Sequence, residues 1–356
     1  MYDETYMTIP PGAILPGAMP KFKIFFLSPE GHYVLWALEG NKVTSEQLDK
    51  LTNGGLNEVY IDLEENFKYE EYLETNLGKI LENEVTSVEQ KAAIFSKVST
   101  NVVRAAFDES FGSGTLGPSI IRRTEEMIKN ALIFITESKS LKPLTQMIGH
   151  DYKTYEHATK VLWFTMLFLK DNPAVLEIVQ PGYQVFDKLQ QMEILRQCGV
   201  GALLHDIGKV FISQDILNKS GPLTEIEWEI MKRHPLSSLA MLLTTDIPEY
   251  AKKAVLQHHE DFDGGGYPMG QRGLHINILA RVLRIVDTFD AMTSRRPYKD
   301  PLPPKRAMDI MIGTPEKTKI NEAVLTQDIR DQGMFRCFDE DLLRKFILFL
   351  GKAKLD

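Results

Sequence analysis

Cysteine is nearly absent from this 356-residue chain: Cys198 and Cys337 are the only two, far apart and without ligand spacing. That excludes a disulfide framework and a cysteine-built structural zinc site, and it predicts free thiols in a reducing compartment. Long apolar runs are missing as well; the longest, Val161 to Leu169, is too short to span a bilayer. The opening residues Met1-Tyr2-Asp3-Glu4 are acidic and have neither the basic nor the apolar region of a signal peptide, so a cytoplasmic protein is expected. Positive charge is not in excess. The net charge of -8 argues against a broad basic surface for long nucleic acid. It leaves room for a small anionic ligand, because bound metal ions can supply local positive charge. No internal repeat or low-complexity tract is present. What is present is ordinary apolar content in a chain long enough for two domains.

The expected fold is mainly α: a small α+β accessory domain over residues 1–70, a helical connector over 71–145, and an all-helical domain over 146–356. In the first part, Phe22 to Leu27 and Tyr33 to Leu38 read as strands joined by the turn-like Ser28-Pro29-Glu30-Gly31. Thr44-Ser45-Glu46-Gln47 fits a capping box opening a helix to about Leu51, Gly54-Gly55 closes it, and Glu58 to Ile61 reads as another strand. The first part holds no cluster of potential ligands, so a regulatory or partner-binding role is expected of it. The connector is helical, with breaks at Gly112-Ser113-Gly114 and Gly117-Pro118. It suits either the stalk of a homodimer or helices packed on the next domain.

The chemistry is concentrated later. Five of the eight histidines, His157, His205, His234, His258 and His259, fall in one stretch, with Asp206 beside one of them and Asp287 further on. A single histidine on an apolar helix face is more often a satisfied core residue than a ligand, so the argument rests on the set. His157 continues the stripe Val161, Phe164, Phe168 and therefore points inward. Asp287 follows Leu283 by one turn on the stripe Leu279, Val282, Leu283, Val286, where a carboxylate is costly unless paired or bound to metal. His205-Asp206 ends the apolar run Val200 to Leu204, and Gly208 allows a sharp turn after it. His234 lies beyond a helix opened by the capping box Thr224-Glu225-Ile226-Glu227, and Pro235 marks a break at the histidine. The adjacent His258-His259 can converge only near a helix end, which Asp261-Phe262-Asp263-Gly264-Gly265-Gly266-Tyr267-Pro268 provides. Mixed imidazole and carboxylate ligation suits first-row divalent metals such as iron or manganese, with zinc also open.

Taken in order, these pieces resemble the HD-GYP family of cyclic di-GMP phosphodiesterases. The resemblance runs from about Asp151 to Pro301 on His205-Asp206-Ile207-Gly208-Lys209, Ile216 to Thr224, Met231-Lys232-Arg233-His234-Pro235, His258-His259-Glu260 with Asp263 to Pro268, and Asp287-Thr288-Phe289-Asp290-Ala291-Met292-Thr293 leading to Arg296-Pro297-Tyr298-Lys299, with a weaker tail at Phe338-Asp339-Glu340. It implies a hydrolase acting in cyclic dinucleotide signalling through two metal ions. His157, His205, Asp206 and Asp287 would hold one ion, and Asp206 would bridge to a second held by His234, His258 and His259. Lys209 would neutralise phosphate, making Asp206 and Lys209 the catalytic pair. Arg296 and Lys299 would contact phosphate or guanine, and Gly266, Tyr267 and Pro268 would shape the pocket. Some members place a Glu four residues before the first histidine and bind a third ion; Lys153 stands there in this chain, so two ions are expected. The sequence departs from the family at Phe211 and Ser213, where Gly and Pro are common, and at Ser238, where Gly is usual. The implied reaction opens cyclic di-GMP to pGpG, with a second cut to GMP conceivable. A catalytically weak cyclic di-GMP receptor and a phosphodiesterase for another cyclic dinucleotide are the alternatives.

Overall fold

A computed structural model describes residues 5–53, 58–137, 154–295, 300–313 and 334–352. Strands β1 (Tyr6–Ile9), β2 (Ile24–Leu27) and β3 (Tyr33–Ala37) are followed by helix α1 (Ser45–Asn53) and strand β4 (Val59–Asp62). The four strands form one antiparallel sheet in the order β1-β4-β2-β3. Helix α1 starts where the capping box places it: Gln47 N–H donates to Thr44 and the Gln47 side chain accepts from Thr44 N–H. The four-residue β1 has no pattern that singles it out in the sequence. It forms because β4 offers it an edge and because Tyr6 stacks on Tyr33 across the sheet, ring centroids 4.0 Å apart. Helix α2 (Asn66–Glu82) buries Tyr69, Leu73, Leu77 and Ile80 on one stripe, and Tyr69 and Tyr72 both meet the edge of Phe22 at 5.6 Å. That stripe belongs to the core of the N-terminal unit. The unit accordingly runs to Val98, part-way along α3 (Val88–Ser113), beyond the boundary expected near residue 70.

From Ser99 onward the second unit is helical. It continues α3 and adds α4 (Pro118–Thr136), α5 (Thr154–Asp171), α6 (Pro173–Val179), α7 (Lys188–Leu204), α8 (Gln214–Leu217), α9 (Glu225–Met231), α10 (His234–Leu242), α11 (Glu249–Gln257), α12 (Ile278–Thr293), α13 (Pro304–Ile312) and α14 (Glu340–Gly351). Its fold is the all-helical one expected from the sequence. Gly117 and Pro118 set the start of α4, with proline at the first helical position. Helix α4 packs on α5 and α7, burying Ile128, Leu132, Phe134 and Ile135, with Phe134 5.7 Å from Trp163. Helix α5 lies between α7 and α12, and Phe164, Phe289 and Phe346 close the core edge to face. Helix α11 packs on α7, α10 and α12. Five helices, α5, α7, α10, α11 and α12, therefore meet around one buried volume, and each delivers a polar side chain into it.

Candidate metal centre

The structure brings together all seven residues expected to be ligands. Two groups have ligand atoms within 4.8 Å of one another: Asp206, His234, His258 and His259 in one, and His157, His205 and Asp287 in the other. His157 comes from the first turn of α5 and Asp287 from the middle of α12, on the inward stripes that the sequence marked. His205 and His258 are the residues at which α7 and α11 end, and His234 opens α10 with Pro235 behind it. Ending the helix is what allows His258 and His259 to face the same volume. Asp206 stands between the groups. Its Oδ2 lies 3.6 Å from His157 Nε2 and 3.4 Å from His205 Nε2. Its Oδ1 lies 3.1 Å from His234 Nε2 and 3.7 Å from His258 Nε2. Asp287 reaches His157 Nε2 at 3.0 Å and His259 Nδ1 at 3.8 Å.

The outer nitrogens explain the inner ones. His205, His234 and His258 each donate Nδ1–H to the backbone carbonyl three residues earlier, Ala202, Met231 and Val255, at 2.7, 2.8 and 2.7 Å. The Nδ1 of His157 donates to Asp290 Oδ2 at 2.7 Å. A neutral imidazole that donates at Nδ1 has a lone pair at Nε2, so these rings aim lone pairs inward. His234 Nε2 and His258 Nε2 are only 3.2 Å apart. His205 Nε2 and Asp206 Oδ1 are buried without a hydrogen-bond partner. Converging lone pairs and carboxylates repel unless a cation lies among them, and the donor set fits a divalent metal.

Protonation points the same way. Burial pushes His258 down to about 4, against an ordinary 6.5, and it lowers His234 and His259 too. Burial alone would raise Asp206, but Lys209, whose Nζ is 2.5 Å from Oδ2, and then His205 hold its carboxyl well below the usual range. Asp287 is likewise held low against burial, chiefly by His157. Neutral imidazoles with ionised carboxylates are the form in which these side chains bind metal.

Local packing makes this arrangement specific. A Cβ on Gly208 would lie 2.3 Å from the His234 carbonyl, so the turn after Asp206 requires glycine. Ser238, in place of a glycine, ties the same turn together: its Oγ accepts from Gly208 N–H at 2.8 Å and donates to the His205 carbonyl at 2.9 Å. A Cβ on Gly266 would lie 2.1 Å from Asp261 N, and Tyr267 stacks on His259 with centroids 4.8 Å apart. Phe211 is exposed, and Ser213 opens α8. Arg296, Pro297, Tyr298 and Lys299, expected to touch substrate, lie outside the described residues, as does Lys153.

Sequence reasoning missed a buried network behind His157. Asp290 accepts from His157, Ser294 Oγ donates to Asp290 Oδ1 at 3.1 Å, and Lys160 Nζ donates to Ser294 Oγ at 2.8 Å. The available signal was the spacing of Asp290, three residues after Asp287 on the same helical face. Also missed was Arg284, which reaches Asp261 with Nε at 2.8 Å and Thr288 with Nη1 at 2.9 Å, fastening the glycine-rich loop to α12.

Comparison with known proteins adds the lineage. The HD domain family matches residues 187–324. The chain carries an HD domain. This HD domain is related to a cyclic di-GMP phosphodiesterase of Pseudomonas aeruginosa, 35% identical over 161 residues, 45% of this chain and 35% of that protein. It is also related to a 3'3'-cGAMP-specific phosphodiesterase of Vibrio cholerae, 38% identical over 110 residues, 31% of this chain and 24% of that protein. The chain thus spans well under half the length of these curated relatives. The structure of Bd1817, an HDG"Y"P protein of Bdellovibrio bacteriovorus, aligns over 97% of this chain and 99% of its own with a TM-score of 0.56 at 15% identity, a likeness of fold. The recognition drawn from the motifs agrees with these findings. His157 lies outside the matched range of the HD domain and joins the cluster through the fold.

Proposed function

We propose that this chain is a metal-dependent phosphodiesterase of the HD-GYP type that opens cyclic di-GMP to pGpG. The observation that carries the reading is Asp206, whose two oxygens face different histidine groups. A receptor that only sensed the nucleotide would have no need of that bridge. His157, His205, Asp206 and Asp287 would hold one ion and Asp206, His234, His258 and His259 a second, iron or manganese in each case. Bound divalent ions would offset phosphodiester charge and make water acidic enough to attack near neutral pH. The protein's own groups do the rest. Lys209 holds a positive charge 2.5 Å from Asp206, where a non-bridging phosphate oxygen can meet it. Tyr267 covers one face of His259 and keeps bulk water from it. Arg296 offers paired donors and Lys299 a point charge to a dianionic ligand that must dock on an acidic protein. Lys153 in place of a carboxylate supports two ions over three. We assign the N-terminal unit a regulatory or partner-binding role. The two cysteines are free thiols, which supports action in the cytoplasm. Among the described residues no helix is long and apolar enough to cross a membrane.

The test is protein purified without oxygen, assayed for metal, then incubated with cyclic di-GMP and with 3'3'-cGAMP and resolved by chromatography. The expected result is about two ions per chain and linear pGpG from cyclic di-GMP. Faster cleavage of 3'3'-cGAMP would move the chain to the specificity named for its Vibrio relative. Asp206→Ala should lose metal and turnover with its circular dichroism unchanged; unchanged turnover would overturn the two-metal reading.

A further inference from the structure

Trp228 is an exposed aromatic side chain linked to the cluster through the ring of Tyr267. It lies on α9, a helix that buries none of its residues, and the indole is 45% exposed. Its apolar surface therefore adds little to the core, although burying a tryptophan is among the largest contributions a side chain can make. The helix is nevertheless well fixed. The Thr224–Glu227 capping box opens it, and Lys219 pairs with Glu227 at 2.5 Å. Three residues past its end the chain delivers His234 to the cluster.

The ring geometry is that of a corner. Tyr267 lies nearly parallel to His259, at 30°. Trp228 meets Tyr267 at 79° with centroids 6.0 Å apart. Tyr267 is thus a floor over the cluster ligand, and Trp228 is an upright wall beside it, one ring further out. The two carboxylates flanking the indole in sequence are neutralised, Glu227 by Lys219 and Glu229 by Lys232, so an anionic ligand is not repelled there. A rigid exposed π-face next to a site for a phosphodiester matches a nucleobase, since every base offers a π-face and stacking tolerates any base.

We infer that Trp228 is a substrate-binding residue that stacks on a nucleobase of the substrate while its phosphodiester lies at the His/Asp cluster. This rests on the phosphodiesterase reading above. It is tested on the full metal-loaded chain with Trp228→Ala and Trp228→Phe. Trp228→Ala should raise KM for cyclic di-GMP about tenfold or more, the scale of one lost base stack, with kcat and metal content within about twofold of the parent. Trp228→Phe should recover most of the affinity. A second arm uses GMP, which carries the base and has no ring to open. GMP should quench the fluorescence of the parent and not that of Trp228→Ala, the other indoles being Trp36 on the N-terminal sheet and the fully buried Trp163. Unchanged KM in Trp228→Ala, or a defect confined to kcat and metal content, would overturn the stacking assignment while leaving the phosphodiesterase reading intact. A parent that cleaves no cyclic dinucleotide yet is quenched by GMP through Trp228 would keep the stacking role and sink that reading.

Discussion

At the scale of single residues, the centre depends on what each imidazole does with its second nitrogen. Three histidines fix themselves through a carbonyl of their own chain, which any substitution elsewhere leaves in place. His157 depends instead on a side chain, Asp290, 133 positions away. Asp290→Asn keeps the shape and removes the charge that orients the ring. On the metal-centre reading it should cut affinity for an ion at the His157 group by about tenfold to a hundredfold, measured by metal titration. The same substitution leaves buried Lys160 without its carboxylate, now 3.8 Å away, and should lower the melting temperature as well. Acid should act through the other histidines. An unfolded chain protonates His258 near pH 6.5, whereas the folded protein resists until about 4. Between those values the unfolded state binds more protons, so the contribution of His258 is complete above pH 6.5 and is lost as pH falls toward 4. His234 and His259 are shifted in the same direction. Melting temperatures of chelator-treated protein should therefore decline through this window; a flat profile would contradict the neutral-imidazole assignment.

At the scale of elements, three of the candidate ligands sit where helices begin or end. His205 and His258 close α7 and α11, and His234 opens α10. Such places were legible because they carry local signals: a capping box, a proline after a histidine, a run of glycines. The turn after Asp206 is the most constrained of them. Gly208→Ala would force a Cβ to 2.3 Å from the His234 carbonyl and 2.5 Å from Ser238 N. Neither backbone group can yield without moving a ligand. A loss of about 3 kcal/mol and reduced metal content are expected, read from denaturant unfolding and elemental analysis. A variant as stable and as metal-rich as the parent would show that the turn relaxes freely. Less legible were β1, which exists because β4 offers an edge, and the Lys160–Ser294–Asp290 network, whose buried charges are tolerable only with partners far away in sequence.

At the scale of the whole molecule, the helical unit depends on residues well before its cluster. Removal of everything before residue 141 would strip α4 and uncover the surface that Ile128, Leu132, Phe134 and Ile135 now cover around Trp163. The truncated chain should aggregate on expression, judged by light scattering. A monodisperse, metal-binding 141–356 fragment would show α4 to be dispensable.

Local signals in the sequence were enough to name the seven ligand candidates and the imidazole–carboxylate donor set they form. An ionisable residue on an apolar stripe, or at a marked helix end, declares itself through local cost and local turn signals. The tertiary structure decided what depends on distance between segments. It placed Asp206 between two histidine groups, joined His157 to the HD domain, set Asp290 behind its ring, and stood Trp228 beside Tyr267. Those relations arise from packing α5, α7, α10, α11 and α12 around one volume. Periodicity within a helix records which face is buried, but not which residue on another helix that face will meet.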